Sequence, residues 1–357
     1  MRTLRAVAAT LLLVAPCAWT ASAQAQAPLQ LNPPAAGGAS KPAPKPAAKP
    51  VPHKATAAAA EPRVASAPAE EHDADLAYGA FQRGFYMTAF SFATRRVDEK
   101  NDVKAMTLLG ELYANGFGIE RDDKKAAQWY RLAADRGDRE AMFALGMFYL
   151  GGRLGTVNSE DGTKLLAAAA KLGHIAAAYN LALLYLEGKV FPQDFGRAAE
   201  LFRAAADAGS PEAQYALAAL YKEGRGVAKD LAEAARLLGA AALADNADAE
   251  LEYAIALFNG TGMARNEPLA AALLRKSARR GNPVAQNRLA NILAVGRGLK
   301  ADPVEALKWH IVAKAGGVGD IPLDSFAEKQ TPETRSAAEK AAKPWLDAIK
   351  QAREQHS

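Results

Sequence analysis

The sequence predicts an all-α protein, a right-handed α-solenoid of helix–loop–helix units 36 residues long. Three observations predict it. Gly116, Gly152, Gly188, Gly224, Gly260 and Gly296 stand 36 residues apart. Ala105, Ala141, Ala177, Ala213, Ala249 and Ala285 keep the same interval. A third column, Gly137, Gly173, Gly209, Asp245, Gly281 and Gly317, departs from glycine only at Asp245. Six units therefore fill residues 105–320 without insertion or deletion, and self-similarity at such a period marks a solenoid.

Before the repeats, residues 1–23 read as a secretory signal peptide. Arg2 and Arg5 precede an apolar run from Ala6 to Trp19, and small residues close it at Ala23. The run is too short to span a membrane comfortably, so the expectation is an exported, periplasmic protein. Cys17, the single cysteine of the chain, lies in this leader. Pro16 stands before it where a lipid-modified leader needs a small residue, which argues against lipidation. With the leader removed no cysteine remains, so packing alone must stabilise the fold.

Residues 24–72 are rich in Pro, Ala and Lys. Proline removes helix hydrogen bonds, and large apolar residues are too few to recur periodically, so this segment reads as a disordered, partly polyproline-like tether. Residues 1–72 hold seven Lys or Arg against three Glu, which leaves 37 basic and 36 acidic residues in 73–357. The net charge of +5 thus comes almost wholly from leader and tether. A folded part so close to neutral argues against a nucleic-acid surface. The tether's lysines offer a contact to anionic cell-wall polymer or lipid, with a solubilising spacer as the plainer reading.

Within each repeat the columns have mechanical reasons. A first helix carries apolar residues at helical spacing and ends at Tyr113, Tyr149, Tyr185 and Tyr221, with Leu257 and Leu293 in the last two units. Glycines follow, where the chain leaves the helix through left-handed conformations. The column Asp122, Asn158, Asp194, Asp230, Asn266 and Asp302 supplies N-caps for a second helix. Glu233 and Glu305, three residues on, have capping-box spacing. The third column then stops the second helix. A phosphate-binding reading of Gly224 and Gly226 is disfavoured, because an Asp at the helix mouth repels phosphate.

These residues resemble the Sel1-like repeat family, a relative of the tetratricopeptide repeat. The segment Leu109–Asp138, LGELYANGFGIERDDKKAAQWYRLAADRGD, carries the pattern nearly throughout. Unit four departs over Gly239–Asp245, and unit six weakens in its first helix before Trp309 restores the match. Residues 73–104 look like a further, loop-shortened pair closer to a tetratricopeptide repeat, on Gly84, Tyr86 and Ala89, and would cap the N-terminal end. Residues 321–357 would cap the other end, with Thr331 as N-cap, Pro332 as first helical residue and Trp345 over the last unit.

No catalytic or metal motif stands out. His53, His72, His174, His310 and His356 have no partner at metal-ligand spacing, and His174 and His310 read as structural or exposed. Neither Gly-x-Ser-x-Gly nor His-Glu-x-x-His occurs, and Asp73–Asp75 and Arg121–Asp123 read as solvated charge clusters. The expectation is a protein without enzymatic activity or cofactor.

What remains is surface. First helices line the concave side of such stacks, where repeat proteins bind partners. Two columns on that face are Thr107, Phe143, Tyr179, Tyr215, Leu251, Asn287 and, four residues on, Glu111, Met147, Leu183, Ala219, Ile255, Asn291. The middle units are apolar at both columns and the end units polar, the profile of a groove with a wet rim. Phe143, Met147, Tyr179, Leu183, Tyr215, Leu251 and Ile255 are therefore candidate partner-binding residues, with packing between neighbouring first helices as the competing role. Exported members of the resembled family include a rhizobial exopolysaccharide regulator. That resemblance implies a protein partner in the envelope such as a membrane sensor kinase. The alternative is a structural envelope component with a wall-associated tether.

Overall fold

The computed structural model describes residues 69–354, with side chains from Leu76. The expectations for the leader, and for the tether up to residue 68, lie outside the described residues. So do those for His53, His356 and the side chains of His72 and Asp73–Asp75. Sixteen helices and no strand occur among the described residues. None of these helices is long and apolar enough to cross a membrane.

The chain divides between Trp129 and Tyr130 into two compact units. The first contains α1 (Ala69–Gln82), α2 (Tyr86–Lys100), α3 (Val103–Asn115) and the start of α4 (Asp123–Ala134). The second continues with the pairs α5 (Arg139–Leu150) and α6 (Ser159–Lys171), α7 (Ile175–Glu187) and α8 (Phe195–Asp207), and α9 (Pro211–Glu223) and α10 (Leu231–Leu243). Next come α11 (Ala247–Asn259) and α12 (Glu267–Arg279), then α13 (Pro283–Val295) and α14 (Pro303–Ala315). It closes with α15 (Ile321–Glu328) and α16 (Pro332–Glu354).

All six predicted N-caps of the second helices form. The side chains of Asp122, Asn158, Asp194, Asp230, Asn266 and Asp302 each accept a backbone N–H of the following turn. Their own N–H groups donate to the carbonyls of Tyr113, Tyr149, Tyr185, Tyr221, Leu257 and Leu293. That second bond corrects the capping-box expectation. Because the N-cap N–H is already taken, Glu233 turns to Arg236 and Glu305 to Lys308 and the indole N–H of Trp309.

A second set of caps opens the first helices. Asp102, Asp138, His174, Ser210, Asn246 and Asn282 accept the N–H of Ala105, Ala141, Ala177, Ala213, Ala249 and Ala285. The first helix of each repeat therefore starts two residues before its alanine column, and the first repeat at Val103 rather than Ala105. Those alanines sit at the third helical position and are all buried, which leaves no room for a longer side chain there.

The two loop glycines have different jobs. Gly224 ends α9 at φ +76°, where its N–H reaches the carbonyl of Leu220. Gly226 (φ +69°) lies against the backbone of Phe195, so close that a Cβ on it would stand 2.2 Å from the Phe195 carbonyl carbon. The loop of one repeat thus seats on the first residue of the previous second helix. Gly262 on Leu231 and Gly298 on Glu267 repeat the contact, and Gly118 meets Tyr86 at the start of α2 in the same manner. In the first unit, α2 therefore supports the loop after α3 as the second helices of the third, fourth and fifth repeats support the loops of their successors.

At the far end, Thr331 accepts the N–H of Thr334 at the start of α16. Trp345 on α16 packs on the buried Trp309 with ring centroids 5.0 Å apart. The short helix α15, capped by Asp320, is an element the sequence reading did not anticipate.

Candidate functional site

Four of the repeats in the second unit present the predicted columns on α5, α7, α9 and α11, and α13 supplies the polar end. Depth differs along them. Met147 is buried among Leu166, Ala169 and Ala177 and belongs to the core. Phe143 is half-buried and stacks on His174, the cap of α7, with centroids 4.4 Å apart. Tyr179 lies half-buried against Phe202 with centroids 5.5 Å apart. Leu183 and Tyr215 pack as half-buried side chains on the cluster built around Phe202, Leu217 and Leu238. Leu251 and Ile255 are likewise half-buried. Six of the seven candidates therefore keep part of their surface in solvent, and Phe143, Tyr179, Leu183 and Tyr215 pack on the core with the rest.

Polar contacts tie neighbouring first helices along this face. The Tyr215 phenol donates to Glu252 on α11 at 3.0 Å, and Lys222 on α9 reaches the other Glu252 oxygen at 2.8 Å. Burial, reinforced by the Glu252 carboxylate, pushes the Tyr215 phenol far above the usual tyrosine range. Burial also raises Tyr179, with Glu212 adding to it. At the C-terminal end, Asn287 and Asn291 both donate to Asp320, at 3.0 and 2.9 Å. Hydrogen bonds thus cross the face in its middle as well as at its C-terminal end. Between repeats, Arg203 lies over the Tyr221 ring and donates to its hydroxyl at 2.7 Å, and Arg131 stands likewise over Tyr149.

One buried carboxylate escaped the sequence reading, and two histidines prove structural. Glu250, fully buried at the start of α11, takes Lys276 of α12 and Arg280, the residue that caps its end, and both also grip Asp245. Asp245 holds φ +64° where other repeats carry glycine. His310, buried on α14, pairs through Nε2 with Asp324 of α15 at 2.8 Å, and Lys314 shares that carboxylate. His174, far from exposed, accepts the Ala177 N–H on Nδ1 and faces Glu140 across 2.9 Å from Nε2. That arrangement fixes the Nε2–H tautomer. Arg121 pairs with Asp123 while Asp122 caps α4. The Glu250 and His310 contacts tie neighbouring helices together. Among the described residues no group of three or more His, Cys, Asp or Glu could hold a metal ion.

The Sel1 repeat model matches residues 103–138, 139–174, 175–210, 211–246, 247–282 and 283–318, the register set by the first-helix caps. No curated protein matches the chain. Among solved structures, a protective antigen from uropathogenic Escherichia coli with an SLR fold superposes with a TM-score of 0.61 at 22% identity. The superposition covers 76% of this chain but only 61% of that one. A Sel1 repeat protein from Oxalobacter formigenes gives a TM-score of 0.57 at 26% identity, over 68% of this chain and 96% of that chain.

Proposed function

The chain belongs to the Sel1 repeat family over residues 103–318, whose members generally act as non-catalytic protein-interaction scaffolds, and from that premise we propose that it is a periplasmic scaffold or regulator. Its first-helix face in the second unit recognises a protein of the cell envelope. The observation that carries this reading is the row Phe143, Tyr179, Tyr215 and Leu251. Each side chain is half-buried at the same position of successive repeats, and the three aromatic ones pack on the core. Aromatic groups held in place by packing bind at low entropic cost, and polar groups at the end of the row exclude wrong partners. The leader-like residues 1–23 support an envelope location. The finer expectation, a membrane sensor kinase held inactive, rests on the resemblance to the rhizobial regulator.

The test is crosslinking in intact cells followed by capture, comparing the parent chain with Tyr179→Ala/Tyr215→Ala after circular dichroism has shown the variant folded. Loss of one specific envelope protein from the variant is the expected result. Capture of the same proteins by both chains would move the binding face elsewhere, and recovery from the cytoplasmic fraction would remove the periplasmic assignment.

A further inference from the structure

The first unit carries a patch that the partner-binding face does not use. On α1 the Tyr78 ring stacks near Phe81 at 6.2 Å, and Phe81 meets Tyr86 at 5.7 Å and Phe117 at 6.1 Å. Tyr86 and Phe117 stack at 4.7 Å. The row is partly open to solvent, with Phe81, Tyr86 and Phe117 half-buried. Tyr78 is 50% exposed, and Phe85 and Met87, beside Tyr86 in sequence, are 61% and 60% exposed. Four aromatic rings in contact, flanked by two exposed large apolar side chains, are more than a scatter of single surface residues.

From this row we propose that the chain's own proline run, residues 41–53 (KPAPKPAAKPVPH), docks on the aromatic patch of α1 and α2. Proline-rich segments pack their rings on aromatic faces, and their fixed φ leaves little entropy to lose on docking. The run is tethered close by. Only residues 54–68 separate it from Ala69, where α1 begins. Fifteen residues span up to about 50 Å when extended, whereas α1 is about 21 Å long. The run therefore reaches Tyr78 and Phe81 without strain. Charge agrees as well. Residues 28–60 carry Lys41, Lys45, Lys49 and Lys54 and no acidic residue, while α1 carries Glu70, Glu71, Asp73 and Asp75 and no Lys or Arg. Opposite charges on two tethered segments favour their encounter.

The test uses the full chain with Cys17→Ser and Ala48→Cys, so that a nitroxide on the new thiol sits within the proline run. Methyl-labelled methionine supplies the reporters: Met87 beside the rings, and Met106, buried on α3, as the check on folding. Docking predicts strong broadening of the Met87 signal. It predicts severalfold less in a chain with Pro42→Gly, Pro44→Gly, Pro46→Gly, Pro50→Gly and Pro52→Gly, which keeps length and charge. Tyr78→Ser/Phe85→Ser, at exposed positions, should weaken the effect in the same way with Met106 unmoved. Equal broadening in all three chains would mean proximity alone and would overturn the proposal. Broadening of Met87 in a methyl-labelled chain by a separate spin-labelled chain would assign the contact to a second copy, and overturns it equally.

Discussion

The Tyr215 phenol and the Glu252 carboxylate, 37 residues apart, join the first helices of consecutive repeats through a 3.0 Å hydrogen bond. The bond sits on the face proposed above for partner binding, so under that proposal it links repeat stacking to recognition. Tyr215→Phe keeps the ring and removes the donor. The expected cost is about 1 kcal/mol, read as a lower urea midpoint at an unchanged slope. Partner capture should survive, since the ring stays in place.

The seated loops give a sharper contrast. Gly209→Ala meets nothing within 4 Å and suffers only its positive φ, which costs about 1 kcal/mol. Gly226→Ala adds a collision with the backbone of Phe195, for a total of roughly 3 kcal/mol. Paired melting curves of the two variants check this, and equal losses would contradict the loop contact.

Glu140 gives a pH signature. The hydrogen bond to His174 holds its carboxyl below the usual carboxylate range, partial burial opposes this, and Arg139 adds to it. A carboxyl with a depressed folded-state pKa contributes stability above its unfolded value, and loses it as pH falls through the folded one. Because the Glu140 side chain is 58% exposed, the contribution is about 0.5 kcal/mol. Parent and Glu140→Gln should therefore differ at pH 7 and converge as the pH falls below the usual carboxylate range. Urea midpoints across that range measure it.

Trp345 covers Trp309 at the end of the array. Trp345→Ala should cost about 3 kcal/mol, since a large ring is removed from a packed contact. Amide exchange should rise first in α14, where Trp309 would gain a hydrated face. Uniform protection across α14 in the variant would mean that α16 does not act as a lid.

The repeat, the six caps of the second helices and their glycine stops were legible because each column keeps one residue type or its close chemical kin. The caps of the first helices were not. Asp102, Asp138, Ser210, Asn246 and Asn282 are preferred N-cap types, but the column mixes three of them and His174 interrupts it, so it shows less plainly than the Asp/Asn column. The candidate columns lie on first helices as the sequence expected, because period specifies a face. Period does not specify depth, and so Met147, one turn from Phe143, lies in the core. The Glu250 cluster was hidden because its partners Lys276 and Arg280 lie some thirty residues away at the end of another helix.

The seating of one loop on the previous helix also decides where the chain tolerates added length. In the second repeat, Leu154 stands where Gly226 would be, and a Cβ on Gly155 would meet nothing within 4 Å. An epitope inserted at Gly155 therefore has room to bulge outward, whereas the same insert beside Gly226, Gly262 or Gly298 would lift a loop off its support. The second repeat is the natural port for a tag or a fused module.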